Sequence, residues 1–278
     1  MTIDFDSIAR KRSIGWKDLT ENPEKYGSLL SGYYSESNHF IFELLQNAED
    51  SFASKVFIRF KDDCIEFFHD GKPFDTGDVE RITDILNSYK AVQSVKEDTP
   101  LIGHFGVGFK AVFKYTDVPL IYSDDVAFRI ENYLMPREIE PHDFESDKTS
   151  IAISIGGQVS YPFIESSHLT EIVVPFNQKV LKSTEEGSSP NGIIKKLKLL
   201  RGTSLIFLSH VRDIYWTDTR SGESSHIYLR IESGNDSVHE VVVCGKDSTE
   251  GSESETYLRF SSSFKCRDDS EGNTEDAP

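Results

Sequence analysis

The spacing of apolar residues changes character several times along the chain. Between residues 39 and 52, Ile41, Leu44, Leu45, Ala48 and Phe52 recur at amphipathic spacing. That spacing predicts a helix running to about Phe52, with Ser35, Ser37 and Asn38 as candidate caps. Val56 to Phe60 then reads as a strand, Lys61 to Asp63 as a turn, and Cys64 to His69 as the returning strand of a hairpin. The loop from His69 to Phe74 carries two breakers, Gly71 and Pro73. Val79, Ile82, Ile85 and Leu86 predict a short helix from about Asp78 to Asn87. Ser88 to Pro100 is polar and without periodicity, and it leads into a glycine-rich turn that opens a further helix.

Downstream, Pro119 to Ser123, Val126 to Glu131, Ile151 to Ile155 and Glu171 to Pro175 read as strands. Residues 136–149 and 157–170 read as polar connections, and Ser183 to Pro190 as a loop. Ile193 to Leu200 predicts a helix, and Gly202 to Leu208 a buried strand. From Arg212 on, short strand-like pieces alternate with runs of Ser, Gly, Asp and Glu. The last dozen residues are polar and acidic, a composition expected to stay disordered. Before all of this, Ile14, Trp16 and Leu19 are expected to pack a mixed N-terminal segment onto the main domain. Pro23 and Gly27 interrupt any long helix there.

A formal net charge of −17 argues against nucleic acid as the main partner and against an anionic membrane surface. Hydrophobic content of 37% is enough for a sizeable core. Cys64, Cys244 and Cys266 show neither zinc spacing nor a disulfide framework. Met1 to Lys11 lacks a signal-type apolar stretch, and no window approaches the roughly 18 apolar residues of a spanning helix. The expectation is a reducing, cytoplasmic location with no membrane partner.

The candidate chemistry begins on the polar side of the first amphipathic helix. Glu43, Asn47 and Asp50 fall at i, i+4 and i+7, so they share one face. Such a row can hold a hydrated magnesium ion and orient a water molecule. A solvated polar face gives the same pattern. Gly103-x-x-Gly106-x-Gly108 sits before a predicted helix. Glycines there let backbone approach phosphates, and a tight structural turn explains them equally well. The pattern is neither the dinucleotide fingerprint of a doubly wound sheet nor a P-loop.

The order of these features is more specific than any one of them. Glu-x-x-x-Asn-x-x-Asp is followed by a strand ending in Asp-Gly, then Ile-Gly-x-Phe-Gly-Val-Gly-Phe, and much later Gly-Thr. This resembles the ATP-binding domain shared by the heat-shock-ninety chaperones, gyrase B, MutL and sensor histidine kinases, the Bergerat or GHKL fold. Within it, Glu-Leu-Leu-Gln-Asn-Ala-Glu-Asp, Gly-Lys-Pro-Phe and Gly-Phe-Lys-Ala-Val-Phe look most like the sacsin-type branch. The resemblance covers about Tyr34 to His210.

The resemblance implies an α+β two-layer sandwich: a mixed, largely antiparallel sheet with helices on one face. The chain then divides into an N-terminal segment (1–34), an ATP-binding domain (35–210) and, outside the resemblance, a β-rich extension with an acidic tail (211–278), expected to be a small extension or the beginning of a further domain. The resemblance implies ATP or ADP and Mg2+ as cofactors and slow hydrolysis as a conformational switch. An unknown protein client or partner and a nucleotide-dependent homodimer are further expectations. Glu43 would be the general base, Asn47 the magnesium ligand, and Asp50 a neighbour of the nucleotide. Gly71 and Phe74 would line the adenine region. Gly103, His104, Phe105, Gly106, Val107, Gly108 and Phe109 would face the phosphates, with Lys110 adding positive charge. Ser88 to Pro100 would be the lid, and Thr203 would sit below the adenine. The second box departs from the usual Asp-x-Gly: His69 stands where the acid is expected and Asp70 follows it. Either His69 or Asp70 reads the base. A non-hydrolysing nucleotide-sensing or interaction module is the alternative. A histidine kinase is disfavoured, because no helical hairpin carrying a phospho-acceptor histidine precedes the domain.

Overall fold

A computed structural model describes residues 3–21, 39–84, 108–141, 152–155, 158–162, 168–185, 189–198, 200, 202–234, 238–247 and 251–260. Helix α1 spans Phe5–Glu21 and α2 spans His39–Asp50. The hairpin β1 (Lys55–Phe60) and β2 (Cys64–His69) leads to α3 (Thr76–Ile82). A short 3-10 helix, Gly108–Lys114, precedes β3 (Leu120–Ser123), β4 (Val126–Glu131) and β5 (Met135–Glu138). A separate hairpin, β6 (Ala152–Ile155) and β7 (Gln158–Pro162), precedes β8 (Thr170–Pro175). Helices α4 (Gln178–Lys182) and α5 (Pro190–Leu197) follow, then a second 3-10 helix, Gly202–Phe207. The chain closes with β9 (Asp213–Asp218), β10 (Glu223–Gly234), β11 (Val238–Asp247) and β12 (Gly251–Phe260).

The strands form one ten-stranded sheet in the order β12-β11-β10-β9-β1-β2-β8-β3-β4-β5, with β6 and β7 pairing apart. The β1–β9 pair is parallel; the other ladders of the large sheet are antiparallel. This is the mixed, largely antiparallel α+β architecture the sequence leads one to expect. The sheet also runs unbroken across position 211, because β9 lies directly beside β1.

Alternation within strands decides which face the helices cover. Val56, Ile58 and Phe60 on β1, Ile65 and Phe67 on β2, and Ile172 and Val174 on β8 point to one face and are fully buried with α2. Leu44 and Ala48 supply the helix side of that contact with no exposed surface. Truncating a buried leucine of this kind typically costs about 2–5 kcal/mol. The opposite face carries a row of rings: Phe57 lies 5.6 Å from Phe68 and 5.4 Å from Tyr215.

Several local expectations are corrected. Ile3 just ahead of α1, and Phe5 and Ile8 within it, are buried and dock the segment, whereas Ile14 is exposed. Trp16 does pack, stacking on Tyr133 at 6.5 Å, and the Leu19 side chain lies outside the described residues. Phe52 is 69% exposed rather than part of the core face, since the helix has ended at Asp50. Residues 136–149 and 157–170 contain strand residues of β5 and β7 besides connections. Gly202 to Phe207 is a 3-10 helix and not a strand; short apolar runs do not distinguish the two by periodicity. The lid segment and the acidic tail lie outside the described residues.

Candidate functional site

Helix α2 carries the row Glu43, Asn47 and Asp50 on its less buried side, with Glu43 and Asn47 half-buried and Asp50 exposed. Partial burial, and then the charge of Glu49, raises the Asp50 pKa above its ordinary value. The helix ends in a Schellman turn: Ala53 N–H donates to Ala48 O and Phe52 N–H to Glu49 O, both at 2.9 Å. Phe52 sits at the left-handed position of that turn, φ 60°, where glycine is usual.

Gly108, the last glycine of the third box, lies against Glu43. A methyl group placed on Gly108 would overlap the Glu43 carboxylate. Two boxes some sixty residues apart in sequence therefore meet, and they meet only because position 108 has no side chain. Gly103, His104, Phe105, Gly106 and Val107 lie outside the described residues.

The second box is fastened to the end of the same helix. Lys72 N–H donates to Ser51 O at 2.7 Å. A Cβ on Gly71 would come within 2.7 Å of that same oxygen, so glycine is needed for the close approach. Asp70 turns to the start of β1: its Oδ1 accepts from the amides of Ser54 (2.7 Å) and Lys55 (2.8 Å), and its Oδ2 from the Ser54 hydroxyl (2.6 Å). His69 is 1% exposed, and its Nδ1 accepts from Gly71 N–H at 3.2 Å. Burial pushes its pKa down to about 4, against a smaller raising effect of Asp70.

Beneath this loop the helix-covered face of the sheet changes chemistry. His69 pairs with Thr170 on β8, and Thr170 with Ser123 on β3. These three buried polar residues continue the apolar columns that hold Phe67, Ile172 and Ile121. The Ser123 and Thr170 hydroxyls lie 2.7 Å apart, and Ser123 Oγ accepts from Phe74 N–H at 3.0 Å. The box loop is thus pinned to a polar floor. Sequence reasoning missed Ser123 and Thr170, because a lone hydroxyl at a strand end carries no motif; only the register reveals them.

Comparison with known proteins adds relatives to this geometry. The chain is 26% identical over 258 residues to the protein NO VEIN of Arabidopsis thaliana, covering 88% of this chain and 9% of that protein. It is 31% identical over 111 residues to human sacsin, covering 33% of this chain and 2% of sacsin. The chain thus spans a small part of each relative's length. Among solved structures, the N-terminal domain of a DNA repair protein aligns with a TM-score of 0.42 at 12% identity, covering 79% of this chain and 69% of that one. No family model matches the chain.

Two expected site residues are placed differently from the sequence reading. Lys110 is 3% exposed, and its Nζ donates to Ile82 O and Tyr133 O, each at 2.6 Å. It ties the Gly108–Lys114 helix to the end of α3 and to the β4–β5 turn. Burial, and then repulsion from Arg12, lowers its pKa to about 7. Thr203 belongs to the second 3-10 helix, which packs on β10 and β11: a Cβ on its neighbour Gly202 would overlap Val243. The hydroxyl that does sit beside His69 is Thr170.

Arg12 of α1 braces the same corner, donating to Glu80 O at 2.8 Å and approaching Asp84 at 3.3 Å. Glu49 closes the far side. Its carboxylate accepts from the successive amides of Ser209 (2.6 Å), His210 (2.9 Å) and Val211 (2.9 Å), holding the lead into β9 against α2. Among the described residues no helix is long and apolar enough to cross a membrane.

Proposed function

We infer that this chain binds Mg-ATP and hydrolyses it slowly, using the cycle as a conformational switch. The observation that carries the reading is convergence on one helix face. Glu43 touches the glycine box, and the end of the same helix holds the Gly71-Lys72 loop. A nucleotide lying across this helix face would reach both boxes at once.

The residues fit the expected cofactors. Position 108 has no room for a side chain, because the Glu43 carboxylate fills that space, and this sets the candidate base directly against the glycine box. Among the described residues no group of three His, Cys, Asp or Glu could hold a metal ion by itself. A single amide oxygen from Asn47 suits magnesium, which keeps several waters and is carried by phosphate oxygens rather than by a protein cage. When bound, magnesium supplies charge neutralisation on the phosphates.

Within this chain, Glu43 would orient and deprotonate the attacking water, and Asn47 one turn later would hold the magnesium ion. Asp50 lines the nucleotide at the helix end. Lys110 is spent on two backbone carbonyls. Less positive charge is then available for the transition state, in keeping with slow turnover.

The test is phosphate release by wild type and Glu43→Ala alongside nucleotide binding. The variant is expected to keep binding and to lose about 10²–10⁴-fold in rate. Wild-type hydrolysis by Glu43→Ala would remove that residue from the role. Binding without turnover in the wild type would establish the non-hydrolysing alternative instead.

A further inference from the structure

We propose that the outer edge of β12 pairs antiparallel with β12 of a second copy of this chain, in a two-fold register centred on Tyr257. The proposal is independent of the nucleotide reading, since β9, β10 and β11 separate this edge from β1.

The two edges of the large sheet differ. At one edge β5 has four residues, includes Pro136 and is packed against α1. Shortness, proline and a covering helix are the means by which edges are kept from pairing. At the other edge β12 has ten residues, no proline and an unshifted register with β11 along its length. Among the described residues it has one neighbouring strand. Its outward backbone N–H and C=O groups form a template for a further strand.

The side chains select which strand fits. Alternation puts Glu255, Tyr257 and Arg259 on one face and Thr256 and Leu258 on the other. In an antiparallel pair centred on Tyr257, Glu255 lies opposite the second copy's Arg259, and Arg259 opposite the second copy's Glu255. Two opposite-charge pairs then flank a pair of tyrosines, and such cross-strand pairs stabilise a ladder. On the other face Leu258, 63% exposed in the single chain, gains the second copy's Thr256 as a neighbour.

The charges are poorly matched within one chain. Arg259 sits near another cation: burial, and then the charge of Arg259, lowers the pKa of Arg212. Nη1 of Arg212 is buried and has no hydrogen-bond partner among the described residues. Glu255 accepts from the Tyr257 hydroxyl and stands opposite Val243 in the β11 ladder, which offers it no charge. A carboxylate from the second copy offsets the like charges of the two arginines. A strand edge buries little area, so the pairing is reversible, with a dissociation constant in the micromolar range.

Sedimentation velocity of the 278-residue chain without nucleotide, from about 5 to 300 µM, is expected to show a monomer–dimer equilibrium. Arg259→Glu and Glu255→Arg each set like charges opposite one another twice per dimer. Each is expected to raise the dissociation constant about tenfold or more. Mixing the two variants in equal amounts makes both pairs complementary again, and the dimer is expected to return. Misfolded chains cannot recover in this way, so the mixture separates lost pairing from lost folding. A wild type that stays monomeric across that range means that another segment or partner covers the edge, and it overturns the proposal. So does a dimer that either substitution leaves intact, because the contact then lies elsewhere or is centred elsewhere on the edge. A mixture that stays monomeric contradicts the register and overturns it as well.

Discussion

The Glu43 carboxylate occupies the space that a side chain on Gly108 would need. This relation ties the acidic helix to the glycine box and explains a glycine without appeal to backbone dihedrals. Gly108→Ala is expected to destabilise the fold by about 1–3 kcal/mol, the usual cost of overpacking. Because the clash is with one side chain, Gly108→Ala combined with Glu43→Ala should cost less than the sum of the two. Chemical denaturation of the three variants measures that coupling, and strict additivity would show that the two residues do not touch.

Phe52 holds a left-handed conformation at φ 60° while 69% exposed, so its side chain repays little of the backbone cost. Its visible contact is an edge-on approach to His210 at 4.7 Å. Phe52→Gly is therefore expected to raise stability by about 1 kcal/mol. Thermal melting checks this; an unchanged or lowered midpoint would mean that the Phe52–His210 contact outweighs the strain.

The helix α2 face and the β1–β2 hairpin were legible from periodicity alone, because Leu44, Leu45 and Ala48 lie on the core side with Glu43 and Asn47 opposite. The polar floor was not legible. Thr170 and Ser123 gain meaning only from cross-strand register with His69, which no local pattern encodes. Lys110 misled for a physical reason. Its place beside the glycines suggested phosphate, whereas its four-carbon stem carries the amine through the core to two carbonyls. Thr203 misled because Gly-Thr before an apolar run fits a strand and a 3-10 helix alike.

Two buried bases make stability depend on pH with a defined sign. His69 has a folded-state pKa of about 4 against 6.5 for the ordinary ring. Between those values the unfolded chain binds a proton that the folded chain refuses. The His69 contribution is thus fully present above pH 6.5 and is lost as pH falls towards 4. Lys110, lowered to about 7 from 10.5, acts likewise, so stability should rise from pH 7 towards 9. Above pH 9 Cys64 opposes this, since burial pushes its thiol up to about 12 and the unfolded thiol ionises first. Urea denaturation across pH 4 to 9 reads both steps. The acid step should flatten in His69→Gln and the basic step in Lys110→Met; slopes unchanged by the substitutions would assign the dependence to other groups.

We propose that Glu43, Asn47, Gly71 and Gly108 together serve one nucleotide site. The most direct measurement is calorimetric titration of the chain with a non-hydrolysable ATP analogue, with and without magnesium, repeated on Asn47→Ala. Saturable binding of one nucleotide per chain is expected, strengthened by magnesium in the wild type, with that magnesium effect lost in the variant. No saturable binding at millimolar nucleotide, or binding indifferent to both magnesium and Asn47, would contradict it.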